Sequence, residues 1–479
     1  IVPAPPGTYT ITHTVVLNGV AASSTQQVTV EPCCQANTVI PDGSLASTVG
    51  TVFSGTVDIQ GQFFVDDDVL FQNCQVFMEP GAEIIVQGGW TLDIENSSFT
   101  ACNGVMWKSI TAENGSTVRI RGSYMDDAES TVAALDGSVI WVDETQFHNN
   151  RVGIGIPDVG GTYNNVACWV SNSTFYSAGP MPQPYQGQAS AVGSQGFAAV
   201  DVHNTSLDFT GGNNLIHSLS NGIVGHSSDL TVAECQMLNI QPDATYAYTG
   251  NGSGIYANGR LGWNTLKQQG YGMNSSLPSF NGCRWGIYTE YMNVRSTDNR
   301  MMDMGTAYRV DRSGYREVDI LENQVHTRYN GIELRANDGA AHILVEGNDI
   351  TFGNDPSCTA CKGWTAIRVT EGNYVAPDSR IQNNTIHFLP QYASRFGIGL
   401  FAADRWIVAE NDLSLVNNAF NRTGIWLNGC RATEVSCNTV SSSDNAYPVD
   451  AQAAIRNVMG REPLISCNAS SVCWSPVPP

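Results

Sequence analysis

The feature that most constrains this chain is a recurrence. From about Val39 onward a polar residue, usually Asn, runs just ahead of an apolar one, in "NSSF" (Asn96), "NSTF" (Asn172), "NQV" (Asn323), "NDI" (Asn348), "NTI" (Asn384), "NDL" (Asn411) and "NTV" (Asn438). From Asn323 the steps are 25, 36, 27 and 27 residues, one of them stretched by an insertion. A second signal interleaves with the first: Gly-Ile at Gly153, Gly254, Gly286, Gly331, Gly397 and Gly424, with Gly222 and Ala454 as close variants. One cycle therefore holds at least two short strands, with room for a third. Short strands with one inward apolar residue, broken by Gly and Asn turns every ~20 to 30 residues, suit a right-handed parallel β-helix. Coils stacking about 4.8 Å apart put like residues on like. Asn at one corner can then form an amide ladder, and inward aromatics such as Phe99, Phe147 and Phe175 can stack. About 10–13 coils fit the length, a rod of roughly 50 to 60 Å.

Composition agrees. Of 479 residues 47 are Gly and only 14% are charged, against roughly 25% in an ordinary globular domain. The formal charge of −21 comes with just three lysines, Lys108, Lys267 and Lys362, so nucleic acid and anionic membranes are disfavoured as partners. No apolar run is long enough to span a bilayer, so no membrane insertion is expected. Thirteen cysteines fit an oxidising compartment, and an extracellular or cell-surface location is expected.

Residues 1–32 differ from the rest. "GTYTITHTVVLNG" and "STQQVTVEP" read as a hairpin. They resemble the last two strands of a PKD or immunoglobulin-like domain, and two strands cannot bury a sandwich core alone. The expected organisation is a partial immunoglobulin-like hairpin over 1–32, then a β-helix over 33–479, the whole being a piece of a longer polypeptide. "GPMPQPYQGQAS" (Gly179 to Ser190), "TYAYTGNGSGIYANGRLGW" and "GNDPSCTACKGW" read as loop insertions, which on a solenoid gather on one flank and often carry recognition.

The block Phe71 to Ile156, with "MEPGAEIIV", "LDI", "MWKSI", "MDDA", "FHNN" and "VGIGI" in order, resembles the opening coils of large secreted β-helix proteins of Bacteroidota. That resemblance implies a β-helix fold, export by the type IX system and a multi-domain setting. It implies no one activity.

Candidate chemistry is thin. The adjacent Asp126 and Asp127 could serve a glycosidase only if the backbone bends there, because strand neighbours point to opposite faces. Otherwise "MDDA" is a turn corner with Met125 inward and the acids in water. Polygalacturonase-like hydrolases combine "NTD", "DD", "GHG" and "RxK"; here only "DD" occurs, with "GHS" at Gly225. "VIWVDET" is similar to the "vWiDH" of pectate lyases, but Glu144 stands where His belongs. A lyase would draw on Asp126, Asp127, Asp143 and Arg151, with Arg or Lys as base and calcium polarising the substrate. Asp66 and Asp68 of "VDDDV" lie on one strand face and could share a hard cation, Ca²⁺ foremost; the plainer reading is a solvated acidic edge. Trp263, Tyr271, Trp285, Tyr288 and Tyr291 could form a platform for sugar rings or pack beneath loops. "CTAC" (Cys358 to Cys361), "CCQ" (Cys33, Cys34), "GCRATEVSC" (Cys430, Cys437) and "SCNASSVC" (Cys467, Cys473) read as disulfide staples rather than zinc sites, connectivity being open.

The sequence thus points first to a non-enzymatic secreted β-helix module, a stalk or adhesin segment in attachment or filament assembly. Its partners would be other domains of a larger polypeptide, its own copies, or surface glycans, and it needs no cofactor. The alternative is a carbohydrate-binding or polysaccharide-degrading β-helix of lyase type.

Overall fold

The computed structural model describes residues 7–17, 20–30, 34–259, 263–337, 342–352, 365–371, 379–388, 396–415, 422–442, 452–458, 463–466 and 469–470. Gly7–Leu17 and Val20–Val30 pair antiparallel from Gly7↔Val30 to Leu17↔Val20, as a sheet of their own. The described strands after them form a parallel β-helix.

One coil shows how it is made. Thr117–Arg121, Tyr124–Asp126 and Ala128–Ala134 are successive strands, each paired with its counterpart one coil before and after. They give three faces. The first two are joined at the start of the rod because Val52–Ile59 and Val69–Met78 bend through both; later coils split that run into separate strands. The third face is a parallel sheet of sixteen strands from Ser44–Leu45 to Gln452–Val458. Sixteen rungs among the described residues exceed the 10–13 coils expected, because that number set aside more chain for insertions than the coils leave: Ile287 stacks on Tyr308 only 21 residues on, near the short end of the ~20 to 30 read from the sequence. At about 4.8 Å per rung the rod is about 70 Å long.

The inward residues stack by type. On the third face Ile110, Val132, Ile154, Val200, Ile223, Ile255 and Ile287 succeed one another in register. On the second, the rings of Phe147 and Phe175 lie 4.4 Å apart at 5°, and Phe99 meets Phe71 of the first face edge-on at 5.5 Å. The glycine of the Gly-Ile signal is a close-approach position: a Cβ on Gly153 would sit 2.6 Å from the Phe175 ring and the Ala199 carbonyl.

The corner between the first two faces explains the recurring Asn. A residue with positive φ turns the chain, and the next side chain points inward to bond the neighbouring coil. Asn323 Nδ2 donates to Asn348 Oδ1 at 2.8 Å, Asn348 to Asn384, Asn384 to Asn411 and Asn411 to Asn438, each at 2.9 Å. Each of those oxygens also accepts a backbone N–H from the preceding coil. Asn96 and Asn172 do not belong to this ladder. With φ of 47° and 48° they are the turning residues, and Ser97 and Ser173 occupy the ladder position. The register of "NSSF" against "NQV" is one residue off.

Among the described residues one disulfide, Cys34–Cys102, closes 68 residues. Cys74, Cys168, Cys235, Cys283 and Cys430 are buried free thiols, so Cys430 is not a staple. Cys33, Cys358, Cys361, Cys467 and Cys473 lie outside the described residues. Among the described residues no helix is long and apolar enough to cross a membrane.

Candidate active site on the second face

On the second face Tyr124–Asp126, Gln146–His148, Thr174–Tyr176 and Asn214–His217 stack in register, aligning Asp126, His148, Tyr176 and His217 in one row. Alternation fixes the direction: Met125, Phe147, Phe175 and Ile216 fill the core, so their successors face outward. The His148 ring lies 4.7 Å from that of Tyr176, tilted by 45°, and Tyr176 stacks on His217 at 5.0 Å.

At the first rung the row becomes a proton-handling cluster. His148 Nδ1 is 2.9 Å from Asp126 Oδ1 and 2.7 Å from the Tyr124 hydroxyl, which lies 3.5 Å from Asp126 Oδ2. Buried Trp107 donates its indole N–H to the Asp126 carbonyl at 2.6 Å and fixes the strand end. Asp127 then turns the chain with φ of 65°, the bend that lets neighbouring carboxyls come within interacting range. Burial raises Asp126 to about 6, hydrogen bonding from Tyr124 opposing it. Burial and the Asp126 charge raise Asp127 to about 7. Burial lowers His148, so its imidazole is neutral at pH 7, and burial together with the Asp126 charge raises Tyr124 and keeps its hydroxyl protonated. The expectation of acids standing in water is therefore corrected: both side chains are largely shielded, and Asp127 keeps a proton up to about pH 7 beside the Asp126 charge.

An insertion crosses the corner beside these acids. The segment after Tyr176 folds back along the corners between the second and third faces. Ala178 N–H binds the Asn149 side chain at 2.9 Å, and Gln183 pairs with Val105 through Met106 N–H at 2.8 Å and its own N–H to Gly104 at 2.9 Å. It thus spans the corner row in which Asp127 lies. Tyr185 donates to Glu129 at 2.5 Å, and Arg151 Nε holds the Ala191 carbonyl at 3.0 Å. The cluster still reaches solvent: the Asp126 and His148 side chains are each 16% exposed. Beside Tyr124 opens a groove of about 460 Å³ lined by Asn96, Ser98, Glu144 and Gln146.

The other residues singled out in the sequence go elsewhere. Asp143 is on the first face, where, against partial burial, hydrogen bonds from Ser171 (2.5 Å) and Asn172 (2.9 Å) hold it below the usual carboxylate range. Arg151 clamps the insertion and lies over Phe197 at 5.5 Å. The suggested catalytic four are not one site. Asp66 and Asp68 diverge, Asp66 binding Ser47 one coil back at 2.6 Å and Asp68 accepting Thr91 N–H one coil on at 2.9 Å. The five aromatics form no single platform. Trp285 and Tyr288 pack on the third face at 5.2 Å from each other, with Tyr288 buried; Trp263 lies under Arg316; Tyr291 meets Arg312; and Tyr271 donates to the Glu234 carbonyl. "GNDPSCTACKGW" lies outside the described residues. "TYAYTGNGSGIYANGRLGW" contains a third-face strand, Ser253–Asn258.

Tyr124, His148, Tyr176 and His217 escaped the sequence reading. The signal was available: in "YMD", "QFH", "TFY" and "NLIH" an outward polar residue follows each inward apolar one.

A parallel β-helix carrying an outward Asp-Tyr-His cluster is the class these features define. The sequence matches no family model and no curated protein. Among solved structures the chain is similar to the A-module of the mannuronan C-5 epimerase AlgE6 of Azotobacter vinelandii. The identity is 12% over 91% of this chain and 89% of that one, with a TM-score of 0.21.

Proposed function

We propose that this chain is an extracellular, polysaccharide-directed β-helix whose second face performs lyase-type acid–base chemistry. The observation that carries the reading is the contact of His148 Nδ1 with both Asp126 and Tyr124, beside a carboxyl held protonated near pH 7. Carboxyls in direct interaction are too close for hydrolysis, which needs them about 5 to 9 Å apart across the glycosidic bond. Removal of a proton α to a sugar carboxylate has a different requirement: a base and an acid on one side, and a neutral donor to quench the substrate carboxylate. Neutral His148 can take the α-proton, Tyr124 can give its proton to the glycosidic oxygen as that oxygen leaves the β-carbon, and protonated Asp127 can donate to the carboxylate. The row Tyr176–His217 continues the surface along the rod, where hydroxyl and imidazole groups can hydrogen-bond further sugar units.

The test is a panel of uronate polysaccharides, with unsaturated chain ends followed by ultraviolet absorbance. Turnover is expected to fall about a hundredfold or more in His148→Ala and Tyr124→Phe and to be unaffected by Asp143→Asn. Activity is expected to decline above about pH 7 as Asp127 ionises. Absence of turnover on the whole panel, or turnover indifferent to His148→Ala, overturns the reading.

A second reading is favoured by a separate observation. The Gly7–Leu17 and Val20–Val30 hairpin pairs with no other strand among the described residues. As a joint to other domains of a larger secreted protein of Bacteroidota type, it would make the rod a stalk or adhesive module.

A further inference from the structure

The third face carries a second cluster that the acid–base site does not use. Asp201 and His203 are two apart on Ala198–His203 and so project from the same side of the sheet; His226, at the end of Asn221–His226, is in register with His203. His203 Nε2 is 3.4 Å from Asp201 Oδ1, and the two imidazoles stack at 4.5 Å and 19°. One donor atom from each of the three lies within 4.8 Å of the others. Asp201 Oδ1 is shielded from water and faces the His203 imidazole. Tyr248 closes one side of the cluster, its hydroxyl 3.2 Å from His226 Nε2, backed by the apolar packing of Phe197, Tyr246 and Tyr256.

We propose that Asp201, His203 and His226 form a binding site for a divalent transition-metal ion of the zinc class. Two imidazoles and one carboxylate are a donor set for zinc, cobalt or nickel, not for calcium, which takes six or more oxygens. Bonds of about 2.0–2.2 Å require the donor atoms to close to about 3.3 Å of one another, which side-chain rotation on a rigid pair of strands supplies. Three protein donors leave a fourth position open to water or a ligand, bordered by Tyr248. A packing role alone accounts for the stacked rings but not for a shielded carboxylate oxygen gathered with both imidazoles within 4.8 Å.

Metal-stripped, untagged protein is titrated with Zn²⁺ by calorimetry and with Co²⁺ by visible absorption. One ion per chain is expected, with intense Co²⁺ bands of a four-coordinate site. His203→Ala and His226→Ala are each expected to weaken binding at least tenfold, Tyr248→Phe to retain it, and His217→Ala, on the second face, to leave it unchanged. Should either His variant fail to fold by circular dichroism, Asp201→Asn, which keeps the shape and removes the charge, is expected to weaken binding by the same order. The proposal is overturned by absence of binding, by affinity unchanged in these variants, or by Ca²⁺ displacing Zn²⁺ at equal concentration.

Discussion

At the scale of single residues, Asp127 combines two demands that conflict. Its backbone takes a φ of 65°, which favours Asn, Asp or Gly, while its carboxyl is buried enough to titrate near 7. Between the ordinary value of 3.8 and about 7 the folded chain holds a proton that the unfolded chain has released, so folding stability falls as pH rises through that window. Asp127→Asn removes the charge and keeps a residue that tolerates the turn, as Asn96 and Asn149 do elsewhere. The variant is expected to melt roughly 2–5 °C above the parent at pH 8 and level with it at pH 4. Equal melting temperatures at pH 8 would refute the buried-charge account. The sequence showed that Asp126 and Asp127 were adjacent and that only a bent backbone could bring them together. It could not show that a segment fifty residues on would fold back over their corner, because that contact runs through Gln183 and Val105, whose pairing follows no periodic signal.

At the scale of the strand and its corner, the Asn ladder was legible because it repeats, and the repeat was misread where Ser replaces Asn. Ser97 and Ser173 accept backbone N–H groups from adjacent coils as the asparagines do, but a hydroxyl reaches fewer partners than an amide. Asn384 shows the difference: its Nδ2 donates to the carbonyls of Val345 and Gln382 and to Asn411 Oδ1, and its Oδ1 accepts both N–H groups of Asn348. Asn384→Ala strands several of these groups in a water-free corner and is expected to cost about 2–4 kcal/mol by urea unfolding. Asn384→Ser, which preserves one acceptor, is expected to cost less. If Ala and Ser prove equally harmful, the amide's size matters rather than its hydrogen bonds. The same logic explains why the proton-handling row was missed: His148, Tyr176 and His217 differ in type, so no recurring letter marks a position that only register aligns.

At the scale of the whole molecule, a solenoid holds each coil mainly through its neighbours, so its two ends are its weak points. At the N-terminal end the second face runs from Thr38–Ile40 through Val52–Ile59 and Val69–Met78 to Ser98–Ala101, and Cys34 is bonded to Cys102 just beyond that last strand. The bond therefore ties the chain ahead of the first rung to a coil three strands further along. Closing 68 residues in the unfolded chain is worth about 4 kcal/mol in the loop-entropy account. Because coupling passes from coil to neighbouring coil, its loss is expected to be local. Mild reduction should speed amide hydrogen exchange in Val52–Ile59 and Val69–Met78 and leave Val318–Leu321 and Ile343–Glu346 unchanged. The buried thiols of Cys168 and Cys235 should stay unreactive to alkylation in the reduced rod, while Cys74 becomes reactive because it lies in the loosened coils. Exchange rising evenly along the rod would mean that the coils unfold as one unit, and the nearest-neighbour picture of this fold would fail.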